Sequence, residues 1–291
     1  MTAVPNSLDT NFSDSKKVDT EADYVTELYR SIQSIRASVN IILPSKINTR
    51  KLFSDFMNTY RTFFSNLESI DCTRYSKSGS PDVILHYDFH YRIGRVKLHL
   101  MAEAVNARIV ELGRTIFHPS LPSEIKALIA HNYLIRSVEY WNSEDANMLE
   151  RSYMQSAYGA LVNGKCVCQG FAEAYKLLLD SQGVKCEVVC GKRRGSEVNH
   201  AWNIVSFDGI RYSHVDVTWD AGQSGRDSHR YYCLSDDEIK SDRLWTRPKG
   251  IVCGNADDLR KKTKSILERN KESYSLLVAD RGLLFYYGDG K

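Results

Sequence analysis

The sequence has no long apolar segment and no strong excess of charge of either sign. No stretch of its 291 residues approaches the roughly 20 apolar residues that a helix needs to cross a membrane. Lysine and arginine number 39 against 36 acidic residues, and the basic clusters at 192–194 and 260–264 are short and have acids close by. We therefore predict no membrane span and no nucleic-acid-binding surface.

The sequence also lacks the marks of a secretory signal, of a disulfide framework and of a zinc knuckle. Residues 1–20 are polar and contain no apolar signal core, so we expect a disordered tail there. The seven cysteines are an odd number, and the C-x-C and C-x3-C spacings at 166–168 and 186–190 do not form paired C-x2-C motifs. We expect no metal and no cofactor. A reducing, cytoplasmic compartment is favoured, and export with the signal already removed is the alternative.

Hydrophobic spacing changes character near the middle of the chain. Apolar residues recur at helical intervals over 24–35 and 52–67, followed by a strand-like run at 82–91. Strand-length apolar segments separated by turn residues dominate after residue 184. We predict an α+β fold divided into a disordered tail (1–20), a mainly helical N-terminal lobe with one strand (21–118), a core (119–245) and a C-terminal helix and strand extension (246–291).

Two cysteines stand just before an amphipathic helix in the stretch GKCVCQGFAEAYKLLL, residues 164–179. A thiol at the amino end of a helix is stabilised as a thiolate by the helix dipole, and more so by a histidine partner. Cys168 fits this position, whereas Cys166 lies before the helix and gains less from the dipole. Gly170 and the alanines after it let the helix start approach a neighbouring sheet. Cys168 is thus a candidate nucleophile, and a buried structural thiol is the alternative.

Candidate partners for this thiol lie downstream in NHAWNIVSFDGIRYSHVDVTWD, two strand-like segments around an Asp-Gly turn. His200 stands near the start of the first segment and Asp216 near the end of the second. Cysteine, histidine and aspartate in this chain order are typical of papain-type thiol sites. His214, two residues from Asp216, competes with His200 for the role of the base.

The register of this hairpin decides whether the two side chains can meet. A two-residue turn at Asp208–Gly209 would place His200 and Asp216 on opposite faces. A three-residue loop with a bulge would place residue 206 opposite 210 and His200 directly opposite Asp216. Asp-Gly permits both loops, and we predict the second. That register would also pair Trp202 with His214 and Ile204 with Tyr212.

Together these motifs resemble the transglutaminase-like superfamily, especially its bacterial members. The family's Cys-x-Gly-aromatic-Ala motif falls on Cys168, its His-Ala-Trp motif on His200, and its Asp-x-Thr motif on Asp216. The resemblance covers about 155 to 238, and the one departure is valine where proline is frequent after the aspartate. It implies a papain-like α+β core, in which the cysteine-bearing helix packs on an antiparallel sheet that supplies the histidine and the aspartate.

The resemblance further implies thiol-dependent acyl transfer through a thioester, on a protein or peptide substrate, with no metal required. In this chemistry Cys168 attacks an amide carbonyl, His200 relays the proton and Asp216 orients the imidazole. Protein cross-linking and deamidation are the expected reactions. A cysteine peptidase with the same triad and a catalytically silent binding module are the alternatives. The backbone N–H of Cys168 is an expected oxyanion donor. Candidates for a second donor or substrate contact are Asn163, Tyr158 and Trp202.

Overall fold

The computed structural model of this chain describes residues 15–60, 64–76, 79–142, 146–222, 229–248, 250–254, 256–261, 265, 277–279 and 282–284. The chain divides into two compact units, an N-terminal unit of residues 1–99 and a C-terminal unit of residues 100–291. In the part that is described, every helix is too short or too polar to cross a bilayer.

The N-terminal unit is a four-stranded sheet with helices. Its elements are β1 (Lys16–Lys17), α1 (Glu21–Gln33), β2 (Ser38–Pro44), α2 (Thr49–Tyr60), β3 (Leu67–Ser76), β4 (Asp82–Tyr91) and the start of α3 (Arg95–Thr115). The strand order is β1-β2-β4-β3, with β1 parallel to β2 and the other pairs antiparallel. Burial alternates along β2 and β4, as expected for strands with one face on a core.

The prediction of a mainly helical lobe with one strand is therefore wrong. Leu67 continues the helical spacing of the preceding apolar residues in the sequence, yet α2 ends at Tyr60 and Leu67 begins β3. The core of this unit is shared between sheet and helices: Tyr24 and Leu28 of α1 are buried with Ile41 and Leu85 of the sheet. The strands of this sheet bury one face against the helices. Such tertiary packing can override the helical preference that the local spacing of apolar residues indicates.

The predicted tail of residues 1–20 is described only in its last part. Residues 1–14 lie outside the described residues. Lys16–Lys17 form a short parallel strand beside β2, and Thr20 caps α1 by accepting a hydrogen bond from the backbone N–H of Asp23. Residues 15–20 are thus part of the N-terminal unit.

The C-terminal unit combines helices with a five-stranded sheet. Its elements after α3 are α4 (Ser123–Ser137), β5 (Glu139–Tyr140), α5 (Met148–Met154), a π-helix (Gly159–Asn163), β6 (Lys165–Cys166), α6 (Cys168–Ser181), β7 (Lys185–Arg193), β8 (Asn199–Ser206), β9 (Tyr212–Val215), α7 (Val217–Ala221), β10 (Tyr232–Leu234), α8 (Asp236–Ile239), β11 (Arg243–Trp245), β12 (Leu277–Ala279) and β13 (Gly282–Leu284). β12 and β13 form a separate antiparallel pair, and residues 257–261 are helical. The boundaries predicted after residues 118 and 245 stay predictions.

Helix α6 lies on the five-stranded antiparallel sheet, whose order is β10-β9-β8-β7-β11. The apolar stripe of α6 is buried, with Phe171, Tyr175 and Leu178 sharing a core with Val205 of β8. The amide of Asn203 on β8 donates to the carbonyl of Ala172, 3.0 Å away, at a small residue of α6. This is the α+β, papain-like arrangement that the sequence predicts, with the cysteine-bearing helix on an antiparallel sheet.

Candidate active site

Cys168 is the first residue of α6, and its thiol is partly exposed. The 14 residues of the helix place the positive end of the dipole at this thiol. β6, just before it, pairs with β5 in parallel, and the N–H of Val167 donates to the carbonyl of Met154. The prediction that a helix begins at Cys168 is confirmed, and the chain entering it is hydrogen-bonded.

Gly170 allows this helix start to pack closely. A Cβ atom at position 170 would lie 2.6 Å from Cβ of Cys166 and 2.8 Å from the carbonyl oxygen of Ser156. Both distances are too short for carbon, so a side chain would force the helix away from the preceding segment. The close contact also explains the position of Cys166, whose side chain is fully buried beneath the helix start.

His200 of β8 is hydrogen-bonded to Asp216. Its Nε2 lies 2.7 Å from Oδ2 of Asp216, which follows β9 and is fully buried. Oδ1 of the same carboxylate accepts from the backbone N–H of Trp219 at 3.2 Å, so Asp216 also caps α7. Nε2 of His200 is held by Asp216, so Nδ1 is the ring nitrogen left for another partner, and the imidazole interacts with the thiol of Cys168 and lowers its pKa.

The predicted register of the β8–β9 hairpin is wrong by two residues. Ser206 pairs with Tyr212 and Ile204 with His214, so the loop comprises residues 207–211. Extending this register sets Trp202, not His200, opposite Asp216. A shift of two residues keeps every side chain on its own face, and His200 therefore still reaches Asp216 diagonally.

The side chain of Asp208 closes the longer loop. Its Oδ1 accepts from the backbone N–H groups of Ile210 and Arg211, and its Oδ2 accepts from the guanidinium of Arg211 at 2.7 Å. Gly209 has φ +79°, the left-handed conformation that glycine adopts most easily. Because Asp208 accepts hydrogen bonds from two backbone N–H groups of the five-residue loop, it stabilises this loop in place of a two-residue or three-residue turn.

The electrostatics of the three groups favour a thiolate and an imidazolium. Burial alone would raise the pKa of Cys168, but the hydrogen bond and charge of His200 and a backbone hydrogen bond from Ala201 outweigh it and lower that pKa. Burial would lower the pKa of His200, yet the charge and hydrogen bond of Asp216 raise it to about 9. The pKa of Asp216 is lowered, because His200 and Arg243 overcome its burial. A thiol with its proton on the imidazole is the reactive form.

Cys166 has the opposite environment. Burial, together with the nearby charges of Cys168 and Glu173, raises the pKa of its thiol well above the ordinary value. A neutral, buried thiol is a packing group rather than a nucleophile. The two cysteines of the C-x-C motif thus differ in both exposure and ionisation.

Trp202, a predicted oxyanion or substrate contact, is fully buried behind the histidine. Tyr158 is half-buried and its ring lies 5.3 Å from that of Tyr153. Asn163 is exposed at the end of the π-helix, five residues before Cys168. Their roles at the site stay predictions.

His214, the competitor for the base, is engaged elsewhere. Its Nδ1 accepts from the indole N–H of Trp202 at 3.0 Å, so its Nε2 carries the hydrogen and donates to Oδ1 of Asp236 at 3.0 Å. His214, Asp236 and Cys253 bring a nitrogen, an oxygen and a sulfur within 4.8 Å of one another. This tautomer leaves no lone pair on Nε2 for a metal, and Arg247 already pairs with Asp236 at 2.7 Å. The cluster is a hydrogen-bonded support for Trp202.

Two further groups at the site have no signal in the sequence motifs. Arg243 binds Oδ2 of Asp216 from β11, and 27 residues separate the two in the chain. Glu173, on α6, accepts from the backbone N–H of Ala157 and the side chain of Gln169. Burial raises the pKa of Glu173 to about 7, against the lowering effect of these two hydrogen bonds. Glu173 lies four residues after Gln169, a spacing that brings the two side chains together on a helix, and this spacing is the signal that could have pointed to Glu173.

Residues 112–217 match the transglutaminase-like superfamily, a range that contains Cys168, His200 and Asp216. No curated protein matches the chain. Among solved structures, the chain is similar to one described as a TGase, with a TM-score of 0.36 and 15% identity over 87% of this chain and 72% of that one. It is also similar to calcium-bound LapG of Legionella pneumophila, with a TM-score of 0.34 and 14% identity over 55% of this chain and 87% of that one.

Proposed function

Because residues 112–217 belong to the transglutaminase-like superfamily, we propose that the chain is a thiol-dependent enzyme that transfers an acyl group through a thioester on Cys168. The substrate is a protein or peptide amide. The observation that carries the proposal is the arrangement at the start of α6: the His200 imidazole lies 2.7 Å from the buried carboxylate of Asp216, and the same imidazole lowers the pKa of the Cys168 thiol. Nucleophile, base and orienting acid are the three groups that this chemistry needs.

In the first half-reaction the thiolate of Cys168 attacks the amide carbon, and a C–S bond forms while the carbonyl oxygen becomes an oxyanion. We take the backbone N–H of Cys168, the first residue of α6, as the donor to this oxyanion. The imidazolium of His200 gives its proton to the departing amine, and the C–N bond breaks. A thioester and a neutral imidazole are left.

In the second half-reaction an acceptor attacks the thioester. His200 removes a proton from the acceptor, the new acyl bond forms, the C–S bond breaks, and the thiolate–imidazolium pair is restored. A lysine amine as acceptor gives a cross-linked protein. Water as acceptor gives deamidation of glutamine or, on a backbone amide, hydrolysis of the chain. Asp216 stays ionised throughout and keeps the imidazole in place.

One experiment tests the proposal by measuring the products of cross-linking, deamidation and chain hydrolysis together. The full chain is incubated with a glutamine-rich protein and a dansylated primary amine, and dye incorporation, ammonia release and backbone cleavage are measured together. We expect at least one product with wild type and with Cys166→Ala, and none with Cys168→Ala. Cys166→Ala is the matched control, since it removes a thiol two residues away that is fully buried. No product from wild type, with a thiol at Cys168 that still reacts with iodoacetamide, would favour a binding module instead.

A further inference from the structure

Two cationic side chains bind the same carboxylate oxygen at this site. Oδ2 of Asp216 lies 2.7 Å from Nε2 of His200 and 2.9 Å from Nη2 of Arg243. Asp216 and Arg243 are both 0% exposed. A carboxylate taken fully out of water is costly to ionise, and one imidazolium compensates it only while the imidazole stays protonated.

Among Cys168, His200, Asp216 and Arg243, the charges balance only when Arg243 is counted. A thiolate on Cys168 and a carboxylate on Asp216 are two negative charges, and His200 supplies one positive charge. Arg243 supplies the second, and its guanidinium cannot be deprotonated in a protein. When His200 gives up its proton to the leaving group, Arg243 is the cation that still faces Asp216.

The position of Arg243 is fixed from several sides. It begins β11 and pairs there with Arg193 of β7. Its guanidinium carbon lies 4.5 Å from the centre of the Trp219 ring and 5.3 Å from that of Tyr231. Its Nη1 lies 2.9 Å from Oδ2 of Asp242. A planar guanidinium can stack flat on aromatic rings while it pairs with carboxylates at its edge, whereas a lysine ammonium is a compact charge with no planar face.

We propose that Arg243 is a positioning residue: its fixed charge keeps the buried Asp216 ionised, and the carboxylate can then hold the His200 imidazole against Cys168. This inference rests on the proposed function for the meaning of the triad, and concerns a residue outside the family motifs. It accounts for a buried arginine on the last strand of the sheet.

The ionisable groups around Asp216 come from several elements. His200 lies on β8, Cys168 on α6 and His214 on β9, and each interacts electrostatically with Asp216. Asp242 lies next to Arg243 and accepts a hydrogen bond from the hydroxyl of Tyr231 at 3.0 Å. Arg243 is the cation in this set whose charge does not change with pH. Its removal should therefore raise the pH at which Asp216 takes up a proton.

The experiment measures the rate at which iodoacetamide alkylates Cys168 from about pH 4 to about pH 9, in wild type and three variants. Arg243→Met keeps the length of the side chain and removes its charge. Arg243→Lys keeps a charge without the planar group. Arg193→Met is the matched control: this arginine stacks on Trp219 at 5.2 Å, and among the described residues the ion pairs of Asp216 are with His200 and Arg243. Circular dichroism checks that each variant is folded.

In Arg243→Met we expect the lower inflection of the alkylation profile to move up by about one pH unit or more. The reason is that Asp216 becomes protonated, the imidazolium loses its carboxylate, and the thiolate loses its partner. Arg243→Lys should fall between this variant and wild type, and Arg193→Met should match wild type. If Arg243→Met fails to fold, Arg243→Gln, which also removes the charge, takes its place with the same expected shift, and an unmoved inflection in it would overturn the proposal.

An unmoved lower inflection in folded Arg243→Met would overturn the proposal, even if the rates fall, because a merely structural role would not move it. An equal shift in Arg193→Met would also overturn it, because the loss of any nearby positive charge would then move the inflection, whether or not that charge contacts Asp216. Alkylation needs no amide substrate, so a shifted profile in a chain that forms no product would reject the proposed function and keep this role of Arg243.

Discussion

The indole ring of Trp202 lies almost parallel to the imidazole of His200, with ring centres 5.9 Å apart and an angle of 18° between the planes. The indole is itself fixed, because its N–H donates to His214, which in turn donates to Asp236. The edge of Trp219 meets the same imidazole at 85°, 6.4 Å between centres. His200 is thus oriented by two aromatic rings as well as by Asp216.

The first prediction concerns the hydrogen bond beneath this stack. Trp202→Phe keeps an aromatic ring but leaves the buried Nδ1 of His214 without its donor. We expect the free energy of unfolding to fall by about 1–3 kcal/mol for the lost hydrogen bond, in addition to the lost ring volume. Urea denaturation at neutral pH measures it.

Trp245→Phe is the control for this prediction. The indole N–H of Trp245 is buried and has no hydrogen-bond partner in the part of the chain that is described. Its ring packs at right angles to that of Trp202. The change in ring volume is the same, and no hydrogen bond is lost. Equal destabilisation by the two variants would contradict the importance of the Trp202–His214 bond.

The second prediction concerns the order in which the thiols react. The pKa of Cys168 is lowered mainly through His200, which outweighs its burial, whereas burial raises the pKa of Cys166 well above normal and that of Cys253 to about 12. Iodoacetamide at neutral pH should therefore mark Cys168 first, as read by mass spectrometry of the peptides. His200→Ala should slow this labelling by about tenfold or more.

Faster labelling of Cys166 than of Cys168 would reject the assignment of the nucleophile. Cys166→Ala separates the two cases, because it should leave the rate at Cys168 unchanged. A rate at Cys168 that falls in this variant would mean that the two thiols act together.

The third prediction concerns the orienting acid. Asp216→Asn keeps an oxygen for the backbone N–H of Trp219, but it can turn an amide donor toward His200 and Arg243, which are themselves donors. The imidazole should be held in the wrong orientation, and turnover should fall by about 10³–10⁴-fold while the fold is kept. Turnover is measured on the amide substrate that the acyl-transfer assays identify.

Asp208→Asn is a matched control, since it makes the same chemical change in the loop of the same hairpin. Its carbonyl oxygen can still accept from the N–H groups of Ile210 and Arg211. Turnover should stay near that of wild type. A loss as large as that in Asp216→Asn would point to the hairpin as a whole rather than to the carboxylate at 216.

The extent to which the sequence predicts this structure depends on how local the cause is. The start of α6 at Cys168 follows from neighbouring residues, the apolar stripe and the small Gly170, and the prediction was correct. The hairpin register depends on which backbone N–H groups bind Asp208, and the sequence leaves that choice open, so the predicted pairing of β8 with β9 differs from the structure by two residues. The face shared by His200 and Asp216 survived that error because side chains in a strand alternate with a period of two.

Longer-range features left no pattern to detect. Arg243 meets Asp216 only because β11 pairs with β7 at the edge of the sheet, and no spacing in the chain announces such a contact. The sequence does not predict strand β3 for a different reason. Leu67 continues a helical series of apolar residues, and the segment is extended because it pairs with β4. Both features, the Arg243–Asp216 ion pair and strand β3, depend on strand pairing in the folded chain rather than on the preferences of neighbouring residues.

The last prediction concerns Glu173 and the dependence of stability on pH. Burial raises the pKa of Glu173 to about 7 in the folded chain, from an ordinary value of 4.5. The folded state therefore holds this proton more tightly than the unfolded state. Its stabilising effect is complete below about pH 4.5 and is lost as the pH rises through about 7.

Glu173→Gln should remove this pH-dependent contribution, because the amide cannot ionise and still has an oxygen that can accept from the N–H of Ala157. Between about pH 5 and about pH 8, the free energy of unfolding should fall less steeply in the variant, by on the order of 2 kcal/mol. Urea denaturation at several pH values measures the difference. Glu187→Gln on β7 is the control, since Glu187 is half-exposed and lies 3.9 Å from Lys176. A slope in Glu173→Gln equal to that of wild type would mean that Glu173 is already ionised at neutral pH, with the N–H of Ala157 and the amide of Gln169 sufficient to stabilise its charge.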